Sequence, residues 1–233
     1  MQVSFHLGPE TIEAPSLQNQ EEQEIKLDAA LVLREEAIVI SVYTEKVEDV
    51  WFGVAFEGDS VYATTFAFAQ NDALRGLRES VRVRVSAENQ KKTQFARSVV
   101  EVLKEIYDGK DVSRGFSLAE EHLPKYTRKV IETVCKVPPG YVTTYGEVAK
   151  AVGGGPRAVG QIMASNPFAP VCPCHRVVRA DFTLGGYGGG LDVKLAFLKR
   201  ERRGYPAERL IPVDGKKLRV FPVELAIRKA TKE

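Results

Sequence analysis

Cysteine, histidine and tryptophan are scarce in this 233-residue chain, which has only three, three and one of them. An odd count of cysteines spread over a long chain is no disulfide framework. Up to Gly115 there is no cysteine, and His6 is the sole histidine. That half therefore lacks the soft ligands of a structural zinc site. Long apolar runs are missing too: residues 37–40 are typical, against the roughly 20 residues of a membrane-spanning helix. No membrane partner is expected. The opening MQVSFHLGPE has no basic stretch leading into an apolar one, so the expected location is the cytoplasm, or the nucleus in a eukaryote. An excess of one charge is also lacking, at net +2. That balance conceals a division. Through Gly115 there are 13 Lys and Arg against 20 Asp and Glu, a net of −7; the rest carries 20 against 11, a net of +9. The second half is predicted to meet an anion, with a solvated basic face as the bland alternative.

Four segments are expected. Residues 1–36 read as a polar, acidic N-terminal extension with no assigned function. Residues 37–115 read as a small α+β scaffold. IVISVY, WFGVAFE and VYATTFAF look like strands, the last two joined at Gly58-Asp59-Ser60. Phe95, Val99, Leu103 and Ile106 then share one helical face, closed by Gly109. Residues 116–203 read as mainly helical. Tyr126, Val130, Val134 and Val137 repeat at helical spacing between Pro124 and Pro138, with Cys135 a packed core thiol on that stripe. Thr144 and Glu147 form a capping-box signature, so a helix should start near Tyr145. Gly153 to Gly155 should turn the chain, and Pro156 suits the first position of a second helix ending before Asn166-Pro167. With the small residues Ala158, Gly160 and Ala164, this is a helix-turn-helix pattern, and beside the basic half it makes DNA a candidate partner. Residues 204–233 read as a C-terminal extension, a hairpin at Val213 to Gly215 and a short basic helix from Pro222 to Ala230, expected to pack on the core, with contact to DNA as the alternative.

The chemistry gathers in VCPCHRVVR, residues 171–179. C-x-C-H without a second ligand pair is a poor metal signal, so no metal and no cofactor is predicted. The stretch LGGYGGG (184–190) has neither the P-loop ending nor dinucleotide spacing. It reads as a loop whose backbone approaches a ligand, with Tyr187 as a wall. Leu191, Leu195 and Leu198 mark a following helix, with Asp192 as its cap. A thiol attacks as thiolate, and a free cysteine holds its proton to a pKa of roughly 8.5. His175 adjoins Cys174, but neighbours on an extended strand point to opposite faces. Contact would need a turn or a bridging water. Glu201 is a carboxylate available to orient the imidazole. On chemistry alone Cys174 stands equally as nucleophile and as structural thiol, and Cys172 as a buried neighbour.

The pentapeptide Pro173-Cys174-His175-Arg176-Val177, with Asn166-Pro167 before it and Gly185-Gly186-Tyr187 after it, resembles the O6-alkylguanine-DNA alkyltransferase family. The match runs from about Pro138 to Glu201. The resemblance implies an α+β fold: a small RNase-H-like α+β N-terminal domain, then a mainly helical, winged helix-turn-helix-like domain carrying the reactive cysteine. It implies Cys174 as the alkyl acceptor, His175 as a base acting through water, and Glu201 as the acid orienting it. Asn166 would be the hinge holding the cysteine loop. Tyr145 and the backbone of Cys174, Val177 and Gly188 would read a flipped guanine, with Tyr187 as pocket wall. Arg157 would fill the gap in the duplex, with Thr144, Ala158 and Gly160 close to DNA. Arg176 would be a structural ion pair. The implied partner is double-stranded DNA containing O6-alkylguanine, bound in the minor groove by a monomer with little sequence specificity. Alkyl transfer would consume the protein in one turnover.

Three departures from the family pattern stand out. Ala169 replaces a proline common three residues after the hinge asparagine, which suggests a less rigid pocket edge. An N-terminal zinc site is absent, and residues beyond 203 exceed the usual core. The rival readings are a non-catalytic lesion sensor, a helix-turn-helix transcription regulator, and a thiol hydrolase.

Overall fold

The computed structural model describes residues 40–81 and 91–231; the acidic extension at 1–36 and the first residues of the IVISVY strand lie outside them. Strands β1 (Ser41–Val47), β2 (Val50–Glu57) and β3 (Ser60–Ala67) form an antiparallel meander. Its second turn uses Gly58 at φ 54°, a conformation open to glycine without steric cost. Helix α1 (Gln70–Ser80) was not anticipated; it is polar along most of its length, and only Ala73 and Leu77 of its residues are buried. It packs over Gly53, where an added Cβ would stand 3.0 Å from Leu77 Cδ1.

Helix α2 (Gln94–Tyr107) follows the expected period, burying Val99, Leu103 and Ile106. The Thr93 hydroxyl opens it by accepting the Ala96 N–H at 3.0 Å, one of the donors a helix start leaves free. Strand β4 (Ser117–Leu118) runs parallel to β3, giving the sheet order β1-β2-β3-β4.

Helix α3 (Lys125–Cys135) ends earlier than its apolar spacing suggested; Val137 lies just past it and is buried all the same. Strand β5 (Tyr141–Thr144) leads into α4 (Tyr145–Val152) and α5 (Pro156–Ala164). The turn between these helices places Gly153 at φ 88° and Gly154 at φ 91°. Tyr126 on α3 donates its hydroxyl to Gly153 O at 2.8 Å, fixing that turn from outside. Next come β6 (Val177–Val178) and α6 (Leu191–Arg200). Gly190, not Asp192, is the residue at the N-cap of α6; Asp192 lies within the first turn, where its charge favours the dipole but caps nothing.

The segment after residue 203 supplies β7 (Arg209–Val213), β8 (Lys216–Pro222) and α7 (Val223–Ala230). Asp214 and Gly215 take positive φ at the hairpin tip, the backbone a two-residue turn needs. β8 pairs antiparallel with β5, and the second sheet runs β6-β5-β8-β7. Leu218, Val220, Val223 and Ala226 are buried, so this tail is packed.

Aromatic side chains join the two sheets' surroundings in the larger of two apolar clusters among the described residues, the smaller gathering Val142, Val178, Leu198 and Val223. Phe197 of α6 meets Phe66 of β3 at 5.2 Å and Tyr107 of α2 at 5.3 Å between ring centroids, both edge-on, the arrangement aromatic quadrupoles favour.

Candidate active site

The segment carrying Cys174 is not an extended strand. Cys174–Arg176 forms a single tight helical turn after Pro173, which removes the objection that neighbouring side chains must face apart. Asn166, placed just after α5, holds this segment from both of its amide atoms. Its Nδ2 donates to Cys172 O at 2.9 Å, and its Oδ1 accepts from the Phe168 N–H at 3.0 Å. The loop is also pinned by β3: Thr64 N–H donates to Pro167 O at 2.9 Å and Thr64 Oγ1 to Ala169 O at 3.0 Å. The pocket edge at Ala169 is therefore fixed by hydrogen bonds from Thr64, contrary to the looseness expected from the missing proline.

Behind Cys174 lies a buried polar array. His175 Nε2 stands 2.8 Å from Glu201 Oε1. Arg176 reaches the same carboxylate with Nε at 2.9 Å and Nη2 at 2.8 Å, and its Nη1 donates to Val137 O. A buried charge is tolerated only when paired and hydrogen-bonded in this way. Burial pushes the Glu201 carboxyl up, but His175 and Arg176 outweigh it and hold it at about 2. Burial lowers the His175 pKa, against the pull of Glu201. The imidazole is thus a neutral base near pH 7, and the Nε2 facing the carboxylate carries its hydrogen. The tautomer leaves the Nδ1 lone pair free. Phe197 stacks on the ring at 4.6 Å between centroids.

Cys174 itself is 7% exposed. Burial raises its pKa, while the Asn166 side chain and the Lys194 charge pull it back. The resting group is therefore a thiol that must lose its proton during reaction. Two cavities meet at it. One, of about 460 Å³, is bounded by Tyr145, Gly160, Arg179, Tyr187 and Gly188. The other, of about 590 Å³, extends past Asn166 toward Thr64, Phe66 and Arg75. Tyr145 is half-buried at the first position of α4, and burial raises its hydroxyl pKa, so it is a donor. An added Cβ on Gly185 would stand 3.1 Å from the Tyr145 hydroxyl, which explains a glycine there.

Thr144 caps α4, its hydroxyl accepting the Glu147 N–H at 3.1 Å. Only half of the capping box forms, because the Glu147 carboxylate turns to Lys150 at 2.6 Å. Arg157 occupies the second position of α5 and is exposed, with Ala158 beside it; neither lines either of the two cavities at Cys174. Cys172 is buried, with Cys135, only half-buried, as its neighbour. Among the described residues no group of three His, Cys, Asp or Glu could hold a metal, and no helix is long and apolar enough to cross a membrane.

Lys194 is the residue that sequence reasoning missed. It is fully buried, and its Nζ donates to Val177 O at 2.7 Å. Burial lowers its pKa to about 8. Its signal was available: three and four residues before the buried Phe197 and Leu198, it occupies the apolar face of α6.

Residues 125–203 match the family model described as "6-O-methylguanine DNA methyltransferase, DNA binding domain". The chain is 33% identical to the methylated-DNA–protein-cysteine methyltransferase of Methanocaldococcus jannaschii over 157 residues, 67% of this chain and 91% of that protein. It is 54% identical to the Pyrobaculum aerophilum protein of the same name over 65 residues, 28% of this chain and 44% of that one. Among solved structures, the O6-methylguanine-DNA methyltransferase of Pyrococcus kodakaraensis strain KOD1 superposes with a TM-score of 0.56 at 31% identity, covering 70% of this chain and 99% of that one. The Mycobacterium tuberculosis OGT in complex with DNA, at 24% identity and a TM-score of 0.55, shares the fold over 70% of this chain and 92% of its own.

Proposed function

The chain belongs to the methylated-DNA–protein-cysteine methyltransferase family, and from that premise we propose that it repairs DNA by transferring the alkyl group of O6-alkylguanine onto its own Cys174, once per molecule. The observation that carries this reading is the thiol of Cys174 at the wall of a base-sized cavity, backed by a neutral buried imidazole and its carboxylate.

An alkyl group on guanine O6 is out of reach in stacked DNA, so the nucleotide must leave the helix at a cost of a few kcal/mol. Arg157, exposed at the start of α5, offsets part of that cost by filling the gap. Ala158 and Gly160 let the backbone come close to the minor groove with little sequence preference, while Thr144, buried, serves there only by capping α4. In the cavity, Tyr145 and the backbone of Cys174, Val177 and Gly188 read the guanine against the Tyr187 wall.

Cys174 gives its proton through water to His175 Nδ1, and Glu201 steadies the imidazolium. The sulfur–carbon bond forms as the carbon–O6 bond breaks. The hydroxyl of Tyr145 stabilises the negative charge developing on the departing guanine. The thioether is stable, so no turnover follows. The protein acts as a monomer where the DNA is kept, in the cytoplasm or, in a eukaryote, the nucleus. A lesion sensor or regulator would have no use for the Cys174–His175–Glu201 array.

The test is a titration of a duplex carrying one O6-methylguanine with the full-length protein, followed by base analysis. Restoration of guanine should stop at one per protein. Several turnovers, or no loss of O6-methylguanine, would contradict the reading.

A further inference from the structure

Two side-chain atoms beside the reaction centre are sealed from solvent with no protein hydrogen-bond partner among the described residues: His175 Nδ1 and the Tyr187 hydroxyl. Leaving such an atom unsatisfied costs about 1–3 kcal/mol. They come from different elements, His175 from the turn at Cys174–Arg176 and Tyr187 from the glycine-rich loop. Phe197 lies against both rings, at 4.6 Å from His175 and 6.4 Å from Tyr187 between centroids. Tyr187 and Cys174 line both cavities together. A pocket wall needs only the aromatic ring. The buried hydroxyl is a separate fact.

Resting on the function proposed above, we propose that the Tyr187 hydroxyl is a positioning group of the alkyl transfer, holding with His175 Nδ1 the water through which Cys174 loses its proton. A buried water is stable with two to four polar partners, and here there are three. Nε2 faces Glu201, so Nδ1 accepts from the water. The water in turn accepts from the Tyr187 O–H and the Cys174 S–H. Burial holds the Tyr187 hydroxyl well above its ordinary pKa, with Cys174 and Glu201 adding to the shift, so it stays a donor. On reaction the thiol proton passes to the water and the water's proton to Nδ1. The guanine leaves with the bond pair and then takes up a proton, so one alkyl group is exchanged for one proton.

Other groups act on this thiol as well. Asn166 and Lys194 on α6 lower the Cys174 pKa, and Cys135 on α3 raises it; Tyr145 on α4 also lies within its electrostatic reach. Glu201, Arg176 and Lys194 act on His175. Tyr187→Phe leaves all of them in place and removes only the hydroxyl.

Two measurements on full-length Tyr187→Phe test the proposal, with a melting curve to show that it is folded. The first is the single-turnover rate on an O6-methylguanine duplex, with its Kd. The second is the pH profile of iodoacetamide alkylation of the Cys174 peptide, which needs no guanine. The rate should fall roughly tenfold, part of the hundred- to ten-thousand-fold that general base catalysis contributes, with Kd little changed. The iodoacetamide profile should move to higher pH. A rate within twofold of wild type overturns the proposal. So does slower repair with an unmoved iodoacetamide profile, since the hydroxyl would then serve the substrate rather than the thiol. If the wild type takes up no methyl group, the repair reading itself falls; if only the variant matches wild type, the relay falls alone.

Discussion

His175 Nε2 and Glu201 Oε1 stand 2.8 Å apart, with neither side chain exposed to solvent. Arg176 shares the carboxylate, so two buried groups depend on one acid. Removing one partner of a buried pair strands the others, at a cost of about 3–5 kcal/mol. Glu201→Gln should lose stability on that scale in urea unfolding at neutral pH, and should slow alkyl transfer. A loss under about 1 kcal/mol would mean the array is not the keystone described.

The same pair sets a pH dependence. Glu201 titrates at about 2 in the fold and at about 4.3 in an unfolded chain. A depressed carboxyl stabilises fully above its unfolded pKa and loses that contribution as pH falls through its folded one. The stability gap between wild type and Glu201→Gln should therefore close between about pH 5 and pH 2. His175 adds a slope of the same sign higher up. Its pKa is lowered in the fold, so the unfolded chain takes the proton first as pH drops below about 6.5. A gap that stays constant on acidification would contradict the assignment.

Asn166 ties Cys172 O and the Phe168 N–H together across the turn into the reactive loop. Asn166→Ala should cost roughly 1–3 kcal/mol for the groups left unpaired. Single-turnover kinetics should show a slower step at Cys174 that outlasts any correction for unfolded protein. A variant with wild-type kinetics would remove Asn166 from the positioning machinery.

Gly154 sits at φ 91°, and a Cβ there would collide with the Tyr126 hydroxyl that fixes the helix-turn-helix turn. Gly154→Ala should lower stability by about 1–3 kcal/mol from backbone strain. It should also weaken binding to undamaged duplex DNA, read by fluorescence anisotropy, because the α4–α5 angle must shift. Unchanged stability and affinity together would contradict that account.

Arg157 is exposed at the second position of α5, away from both cavities. Arg157→Ala should slow repair of a duplex lesion more than reaction with free O6-methylguanine. Equal slowing on both substrates would count against its role as a gap filler.

Strong periods and motifs made much of this structure legible. The turn at Gly153–Gly155 and the first turn of α4 at Tyr145 follow from local sequence rules, whereas the grouping of Glu201 with Cys174 and His175, across 26 positions, rested on the family resemblance. What stayed hidden has physical reasons. α1 is polar along most of its length and buries only Ala73 and Leu77, so no apolar run announces it. Lys194 went unread because the helix was marked by Leu191, Leu195 and Leu198; Leu191 is 52% exposed, and the buried Phe197 was left out of the stripe. The pinning of Ala169 by Thr64 is a contact across 105 positions, beyond any local signal. The role of the hairpin after residue 203 emerged only from its pairing with β5.

The central claim is that Cys174, and neither Cys135 nor Cys172, accepts the alkyl group. Full-length wild type and Cys174→Ala should be incubated with an O6-methylguanine duplex, weighed intact, and mapped by peptide mass spectrometry. The wild type should gain a single methyl group on the Cys174 peptide, and the variant none. An equal gain in Cys174→Ala, or a methyl on another cysteine, would contradict the account.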